Sequence, residues 1–455
     1  MTPARIPKAP HALPVVGHVA ALAVSPLGFL ASLRPMGDLV QISIGRHPAY
    51  VVNSPLLIRQ MLVERPGSFD KGMMFDKLRD FLGNGIGMSG GELHRTQRRL
   101  MQPAFHRHRI SEYVEVMARS ADEAVAAWPV NRPIAVEDEF STVTLSVIAR
   151  TLFRTELAAG AIAELQQAIP VALAGVMRHA IIPSKVLERI PTPGNIRCAR
   201  AMKRTRQVVT DLIASYRASG ADHGDVLSLL LTARENEDGR GMSDEQIHAE
   251  IMTILLAGIE TSSCVLAWLF LELSRNPDIE ARVLAEIEQV VGADQISAGH
   301  LPQLDILRRS VSETLRLHHP NWLVMRRTTE PVALGTAELP AGAEILFSPT
   351  TLHTDPGLFE DPLRFDPDRW LPDRAPERAE AKYIPFGAGT RQCIGDTYAL
   401  AEVAVIAATV LKRWQLTGSP AKRRPVVALT VHPRGLRLTP VRRPQRPVRV
   451  EEVHR

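Results

Sequence analysis

Cys393 stands in the stretch Phe386-Gly-Ala-Gly-Thr-Arg-Gln-Cys-Ile-Gly395, with glycines on both sides and Arg391 two residues before it. The other two cysteines, Cys198 and Cys264, are distant and unaccompanied. Neither a disulfide framework nor a zinc site of three or four ligands is therefore spelled out. A lone thiolate in a tight loop suits the single axial sulfur of a haem iron, where it donates electron density and favours O–O cleavage. Gly387 and Gly389 permit backbone conformations closed to other residues, and Gly395 lets the following helix approach a flat cofactor. Turn amides left free there can hydrogen-bond the sulfur and set its potential. The competing reading, a dinucleotide loop at Gly387-Ala-Gly389, lacks a βαβ unit with a ribose-binding acid about 20 residues on.

Other chemistry-bearing residues need elements to place them. Ser243-Asp-Glu-Gln246 is a capping box, and Asn276-Pro277 is a stop, so one helix is predicted from there to about Arg275. At about 1.5 Å per residue it is nearly 50 Å long. At its midpoint Ala257-Gly258-Ile259-Glu260-Thr261 puts an acid beside a hydroxyl, both competing with the backbone ladder, and Gly258 makes room where that ladder opens. A helix-bending threonine beside a snorkelling glutamate is the alternative. His94 and Arg98, at i and i+4 of a helix within Gly91 to Phe105, share a face that can grip an anion such as a haem propionate. Arg95 and Arg99 read as a solvated basic face. Glu313 and Arg316 are spaced as a helical ion pair, with Arg369 downstream in Pro367-Asp-Arg-Trp370.

The set Phe386, Gly389, Arg391, Cys393 and Gly395 matches Phe-x-x-Gly-x-Arg-x-Cys-x-Gly in full, and here the chain resembles the cytochrome P450 family. The resemblance implies a mainly α fold with a minor β region, haem b lying between the long helix and the Cys393 loop. It makes Cys393 the iron ligand, and assigns Ala257 and Gly258 to the oxygen-binding groove, with Glu260 and Thr261 delivering protons. It places Phe386, Gly387, Arg391 and Gly395 around the cofactor and adds Arg326 and His353 to His94 and Arg98 as propionate ligands, Arg327 being the easiest confusion. Glu313, Arg316 and Arg369 become a structural triad that holds the cysteine loop.

The segment Phe69 to Gly90 reads as an apolar, Met- and Gly-rich loop, and the resemblance lays it over the distal face of the haem. Met73, Phe75, Leu78 and Phe81 are expected to line a substrate pocket with Trp322, Leu323 and Val324. Adaptable Met and Phe side chains suit an apolar, weakly functionalised ligand. Val171, Leu173, Val176 and Met177 are further candidates, and Pro183, Pro191 and Pro193 mark a long loop. Leu39 to Ile44 and Ala49 to Val52 form a predicted hairpin around Gly45, and Val332 to Phe347 a β-meander.

Composition sets the remaining bounds. With 45% hydrophobic and 23% charged residues, the chain can bury a large core. A single haem domain is expected over residues 1–440, its β-rich part near 38–70 and 320–350. The net charge of +5 is local: from Ala421 to Arg455 ten Lys/Arg face two Glu, which leaves −3 for the rest. Residues 441–455 are expected to be a disordered basic tail, and without interleaved aromatics it is no nucleic-acid site. Met1 to Gly17 holds four prolines and no apolar run, so neither signal peptide nor membrane anchor is expected. Ile251 to Leu273 is long enough to span a membrane, but Glu260, Thr261, Ser262 and Ser263 at its middle argue for a buried helix.

The expected function is monooxygenation of an apolar small molecule with O₂, in the cytoplasm, by a monomer. Electrons would come from a separate ferredoxin and its reductase, because only 62 residues follow Cys393. Asp70-Lys-Gly-Met-Met-Phe-Asp76, the His94 helix and Phe365-Asp-Pro-Asp-Arg-Trp370 are similar to bacterial terpene-oxidising members, so a sesquiterpene is the expected substrate. A fatty acid or polyketide would fit the same apolar segments. A non-oxygenating haem-thiolate isomerase or dehydratase would have no need of Glu260 and Thr261, and a haem-based sensor would couple no NADPH consumption to product.

Overall fold

The longest element is defined by its ends. Ser243 Oγ accepts a hydrogen bond from the Gln246 amide at 3.2 Å, and the helix runs from Asp244 to Arg275 before Asn276-Pro277 ends it. The side chain of Gln246 turns elsewhere, donating to Asn84 O at 3.0 Å and Glu250 Oε1 at 2.7 Å. This computed structural model describes residues 6–154, 159–181, 190–220, 224–232, 242–374, 382–418 and 425–444. The most apolar stretch of the long helix is 78% buried inside the protein, as befits a core helix.

Helix Val136–Leu152 lies along the long helix, and helices Asp305–Leu317 and Asp396–Arg413 pack on it as well. Helix Arg107–Ala126 covers Asp396–Arg413 in turn. Gly258 marks one of these contacts, because a Cβ there would lie 2.6 Å from Ile148 Cδ1. The glycine lets Val136–Leu152 approach, so it serves helix packing at this point.

The minor β region is a five-stranded sheet in the order Leu39–Ile44, His47–Val52, Glu344–Phe347, Val324–Thr328, Phe69–Lys71. Its pairs are antiparallel except His47–Val52 with Glu344–Phe347. Two expectations are corrected here. Val332–Leu334 and Ala337–Leu339 form a separate hairpin, so Val332 to Phe347 is not one meander. The stretch Phe69 to Gly90 is not a loop throughout: after strand Phe69–Lys71 comes helix Met73–Leu82, flanked by Gly72 and Gly83. At the C-terminus Val441 and Arg442 pair with Gln415 and Trp414, so the strand Arg437–Arg442 reaches into the expected tail. Residues 445–455 and Pro183 lie outside the described residues, while Pro191 and Pro193 lead into helix Pro193–Ser219.

Among the described residues two hydrophobic cores result. The larger joins the helices with one face of the sheet, and the smaller gathers the other face with Ile58, Met61, Leu62, Leu352 and Ile384. The Cys393 loop runs between them: Ala388 packs on the smaller core, Phe386 and Ile394 on the larger.

A buried ionic cluster braces this junction. Glu313 and Arg316, both 0% exposed, bond through Oε1–Nη2 at 2.8 Å and Oε2–Nε at 2.9 Å. Glu313 also accepts from Trp370 Nε1 at 3.0 Å and the Asp366 amide at 3.0 Å, with Arg369 Nε 3.5 Å away. Arg316 donates to the carbonyls of His353, Pro362 and Arg364 at 2.7 to 3.2 Å. Removing one partner of such a pair strands a buried charge. Arg316→Leu is expected to destabilise the fold by about 3–5 kcal/mol, read as a lowered urea midpoint; an unchanged midpoint would show that the pair does not carry the junction.

Candidate active site

The backbone around Cys393 is tightly held although the sulfur is accessible. The Cys393 amide donates to Phe386 O at 2.9 Å, closing the loop across its base. Gly389 has φ +70°, and a Cβ there would lie 1.9 Å from Leu62 O, so only glycine fits this crossing. Gly387, at φ +71°, faces open space. Gly395 is not sterically forced, since a Cβ would meet Phe105 at 3.6 Å; its amide hydrogen-bonds toward the sulfur instead. Protein packed around the open sulfur desolvates it and pushes the Cys393 thiol up to about 11, against the lowering effects of the Gly395 amide and Arg98. A bound metal cation is what would make this sulfur a thiolate at neutral pH.

Cationic side chains converge beside the loop. Burial and the neighbouring charges of Arg391, Lys71, Arg98 and Arg326 hold the His94 ring down at about 4. Arg326 is buried and pushed down to about 10 by desolvation and by Arg391. Arg391 donates to Ser89 O at 2.9 Å and Asp70 Oδ1 at 2.7 Å. Arg98 donates to Gln392 O at 2.6 Å, tying its helix to the cysteine loop. Arg327 turns away to Glu344 and Asp76, so of the two neighbours Arg326 joins the cluster. Sequence reasoning missed Lys71, which sits in the quoted run Asp70 to Asp76 without a motif of its own. Its ammonium is held well below its usual range by desolvation, Arg326 and Arg391, and lies 4.4 Å from the Phe75 ring centroid.

His353 does not belong to this cluster, which corrects its assignment as a propionate ligand. It is fully buried beside Arg316, and its Nε2 accepts from the Ile384 amide at 3.0 Å. Its ring packs against His319, Phe359 and Tyr383. Burial, His319 and Arg316 push it well below its usual range, so it is a neutral strut. The spacing of His353 from the motif could not reveal this, because its partners come from three separate segments.

The long helix presents two different faces near its middle. Ala257 is exposed although most of that helix is buried, and Gly258 and Thr261 are partly open. Thr261 Oγ1 donates to Ala257 O at 2.6 Å, the i−4 bond that a helical threonine makes. Glu260 points elsewhere: Oε1 accepts from Thr430 Oγ1 at 3.0 Å and lies 2.9 Å from His432 Nε2. The acid and hydroxyl are adjacent in sequence but separated by their partners.

Of the expected pocket residues, Met73, Phe75, Phe81, Leu323 and Val324 are half-buried, whereas Leu78 is in the core. Trp322 is buried, its Nε1 anchored on Ala428 O at 2.9 Å. Val171 is exposed and Leu173 buried; the side chains of Val176 and Met177 lie outside the described residues.

This donor set fits haem. An accessible sulfur on a rigid loop, an open face on a buried helix and several mutually repelling cations call for a flat, iron-bearing dianion. Among the described residues no group of three or more His, Cys, Asp or Glu is placed to hold a metal ion.

A mainly helical fold with a single-cysteine loop of this kind defines a haem-thiolate protein. The chain belongs to the cytochrome P450 family, whose profile matches residues 7–439, and whose members hold haem b through a cysteine thiolate. It is 43% identical over 436 residues, 95% of both chains, to the cyclooctatin synthase of Streptomyces melanosporofaciens. The cyclooctat-9-en-7-ol 5-monooxygenase of that organism is 43% identical over 412 residues, 90% of each. The pentalenene oxygenase of Streptomyces avermitilis is 40% identical over 433 residues, covering 94% of this chain and 96% of its own. The chain is thus a cytochrome P450 monooxygenase, acting on a small molecule with O₂ and redox partners.

Cys393→Ser is expected to lose the strongly red-shifted absorption band of the reduced, CO-treated protein; retention of that band would reassign the ligand. Arg326→Leu and Lys71→Met are each expected to speed haem transfer to apomyoglobin about tenfold or more, the weight of one charge-assisted hydrogen bond. An unchanged rate would remove that residue from the cofactor's binding set.

Proposed function

We propose that this monooxygenase hydroxylates a cyclic terpene, a sesquiterpene hydrocarbon of the pentalenene type or a lightly oxygenated ring system. The open Ala257–Thr261 face in the buried helix is the observation that carries the site. The names of the three relatives support the substrate class. Haem with its thiolate ligand, given O₂ and two electrons, supplies insertion of an oxygen atom into a C–H bond.

The protein's part is positioning and proton supply. Cys393 would ligate the iron, with His94, Arg98, Arg326, Arg391 and Lys71 holding the propionates. Met73, Phe75, Phe81, Leu323 and Val324 would wall the substrate, fixing it by shape because they offer no hydrogen-bonding groups. Thr261 would present its hydroxyl at the open face, and Glu260 would furnish the proton that the hydroxyl passes on. Thr261→Ala should keep haem but divert reducing equivalents to peroxide.

Electrons would come from a ferredoxin and its reductase in the cytoplasm. Arg95 and Arg99 are exposed on the helix that Arg98 ties to the cysteine loop, and an acidic ferredoxin complements them. Rising salt should then slow reduction.

The test is a spin-state titration of the haem-loaded protein with pentalenene, a cyclic terpene alcohol and a medium-chain fatty acid, followed by mass analysis of turnover products. A spin shift and hydroxylated product from either terpene support the reading. A response to the fatty acid alone would replace the substrate class and leave the monooxygenase in place.

A further inference from the structure

Glu260 is the inner member of a chain that no motif announces. Val431–His432 is a strand of the small hairpin closed by Val426–Val427. The long helix pins that hairpin with one face: Trp268 Nε1 and Cys264 Sγ both donate to Val431 O, at 2.7 and 3.0 Å. Glu260, Cys264 and Trp268 follow one another at i, i+4 and i+8, so the anchoring face also carries the acid. His432 is thereby held with Nε2 2.9 Å from Glu260 Oε1 and Nδ1 2.9 Å from Glu137 Oε1.

Both carboxylates are fixed. Glu137 lies in the first turn of helix Val136–Leu152, where the helix dipole favours negative charge, and its Oε2 accepts from the Gly435 amide at 3.3 Å. Thr430 Oγ1 bridges Glu260 and His432 Nε2. The charged groups acting on the ring are these two glutamates, and together they raise it to about 9 against the effect of burial. The buried Cys264 thiol beside them is pushed well above its usual range by burial and by both carboxylates. A small cleft lined by Ser141, Gln166 and apolar side chains of three helices also reaches Glu260. The side chains of His432 and Glu137 are 19% and 22% exposed, so the chain touches solvent at its outer end.

We propose that His432 is the positioning residue and immediate proton source for Glu260, locking the acid as a carboxylate away from Thr261 and releasing it by protonating it. The imidazolium gives its Nε2 proton to the Glu260 carboxylate, leaving a neutral imidazole and a carboxylic acid. Their ion pair is thereby cancelled, and the acid is free to turn toward the Ala257–Thr261 face. Glu137 keeps the Nδ1–H and hence the ring's orientation. After Glu260 has given up its proton inward, it returns as a carboxylate, and solvent reprotonates Nε2. One proton crosses per cycle. The ring is charged below its titration point and loses that charge as pH rises through about 9, so supply by this route falls over the same range.

This inference rests on Glu260 and Thr261 delivering protons, and the variants separate the two. Histidine ring resonances of the full-length, haem-loaded protein would be titrated by NMR, and product formed per NADPH measured from pH 6.5 to 10 with the panel compound giving the largest spin shift. In the native protein the ring should titrate near 9 and product yield should fall across that range. His432→Gln should cut product per NADPH about tenfold, in line with losing a general acid's supply, raise peroxide, and abolish the pH break. Should that variant fail to fold, Glu137→Gln keeps the ring and should move both its titration and the break to lower pH. A ring titrating at its ordinary value, or a break that stays in place in Glu137→Gln, would overturn the role of His432. If Glu260→Gln uncouples turnover while His432→Gln does not, the His432 role alone fails. If Glu260→Gln leaves coupling intact, the underlying assignment of the acid fails first.

Discussion

The buried Glu313–Arg316 pair is the constraint on which the catalytic geometry rests. Carboxylate and guanidinium together satisfy backbone and side-chain groups across the segment from His353 to Trp370, which has little regular secondary structure of its own. The same segment supplies the His353 ring that fixes Ile384, two residues before Phe386, whose carbonyl holds the Cys393 amide. His319 adds a contact to Pro385 O at 3.0 Å and Tyr383 one to Ser312 O at 3.0 Å. The position of a sulfur is thus inherited, through a few hydrogen bonds, from charges that never see solvent. A buried ion pair contributes little net stability when replaced by apolar groups, but it tolerates few geometries. That suits a strut better than glue.

The long helix works differently. Apolar packing around most of its circumference fixes it, and it has two interruptions at mid-length. One is the open stripe of Ala257 and Thr261, the other the stripe of Glu260, Cys264 and Trp268 that receives the C-terminal hairpin. A helix can serve two clients at once because residues one apart point about 100° apart. The acid and hydroxyl adjacent in sequence therefore belong to different environments until something moves the acid.

Legibility followed range. The cysteine loop was readable because its residues are contiguous, and the long helix because its cap and stop are local signals. The ionic triad was readable only through family resemblance, because Arg369 lies far in sequence from Glu313 and Arg316. Nonlocal contacts were hidden. His353 looked like a charge donor because sequence does not show that Arg316 and His319 crowd it into neutrality. Lys71 carries no pattern, and its place beside Arg326 and Arg391 depends on the pairing of Phe69–Lys71 with Val324–Thr328. Helix Met73–Leu82 was obscured by glycines that read as loop but serve as its boundaries. His432 was submerged in a charge count of the C-terminal region, where arginines dominate and histidine counts as neutral.

The cysteine loop also has a place in the larger architecture. Ala388 sits on the sheet-side core and Phe386 and Ile394 on the helical one, while Gly389 passes so close to Leu62 O that no side chain fits between. The sulfur is therefore mounted on the seam between two cores, as a bearing is between two housings. Any change that shifts one core against the other, even from its far side, arrives at the Cys393 sulfur as a displacement. The position of the sulfur is in this sense a mechanical property of the whole chain.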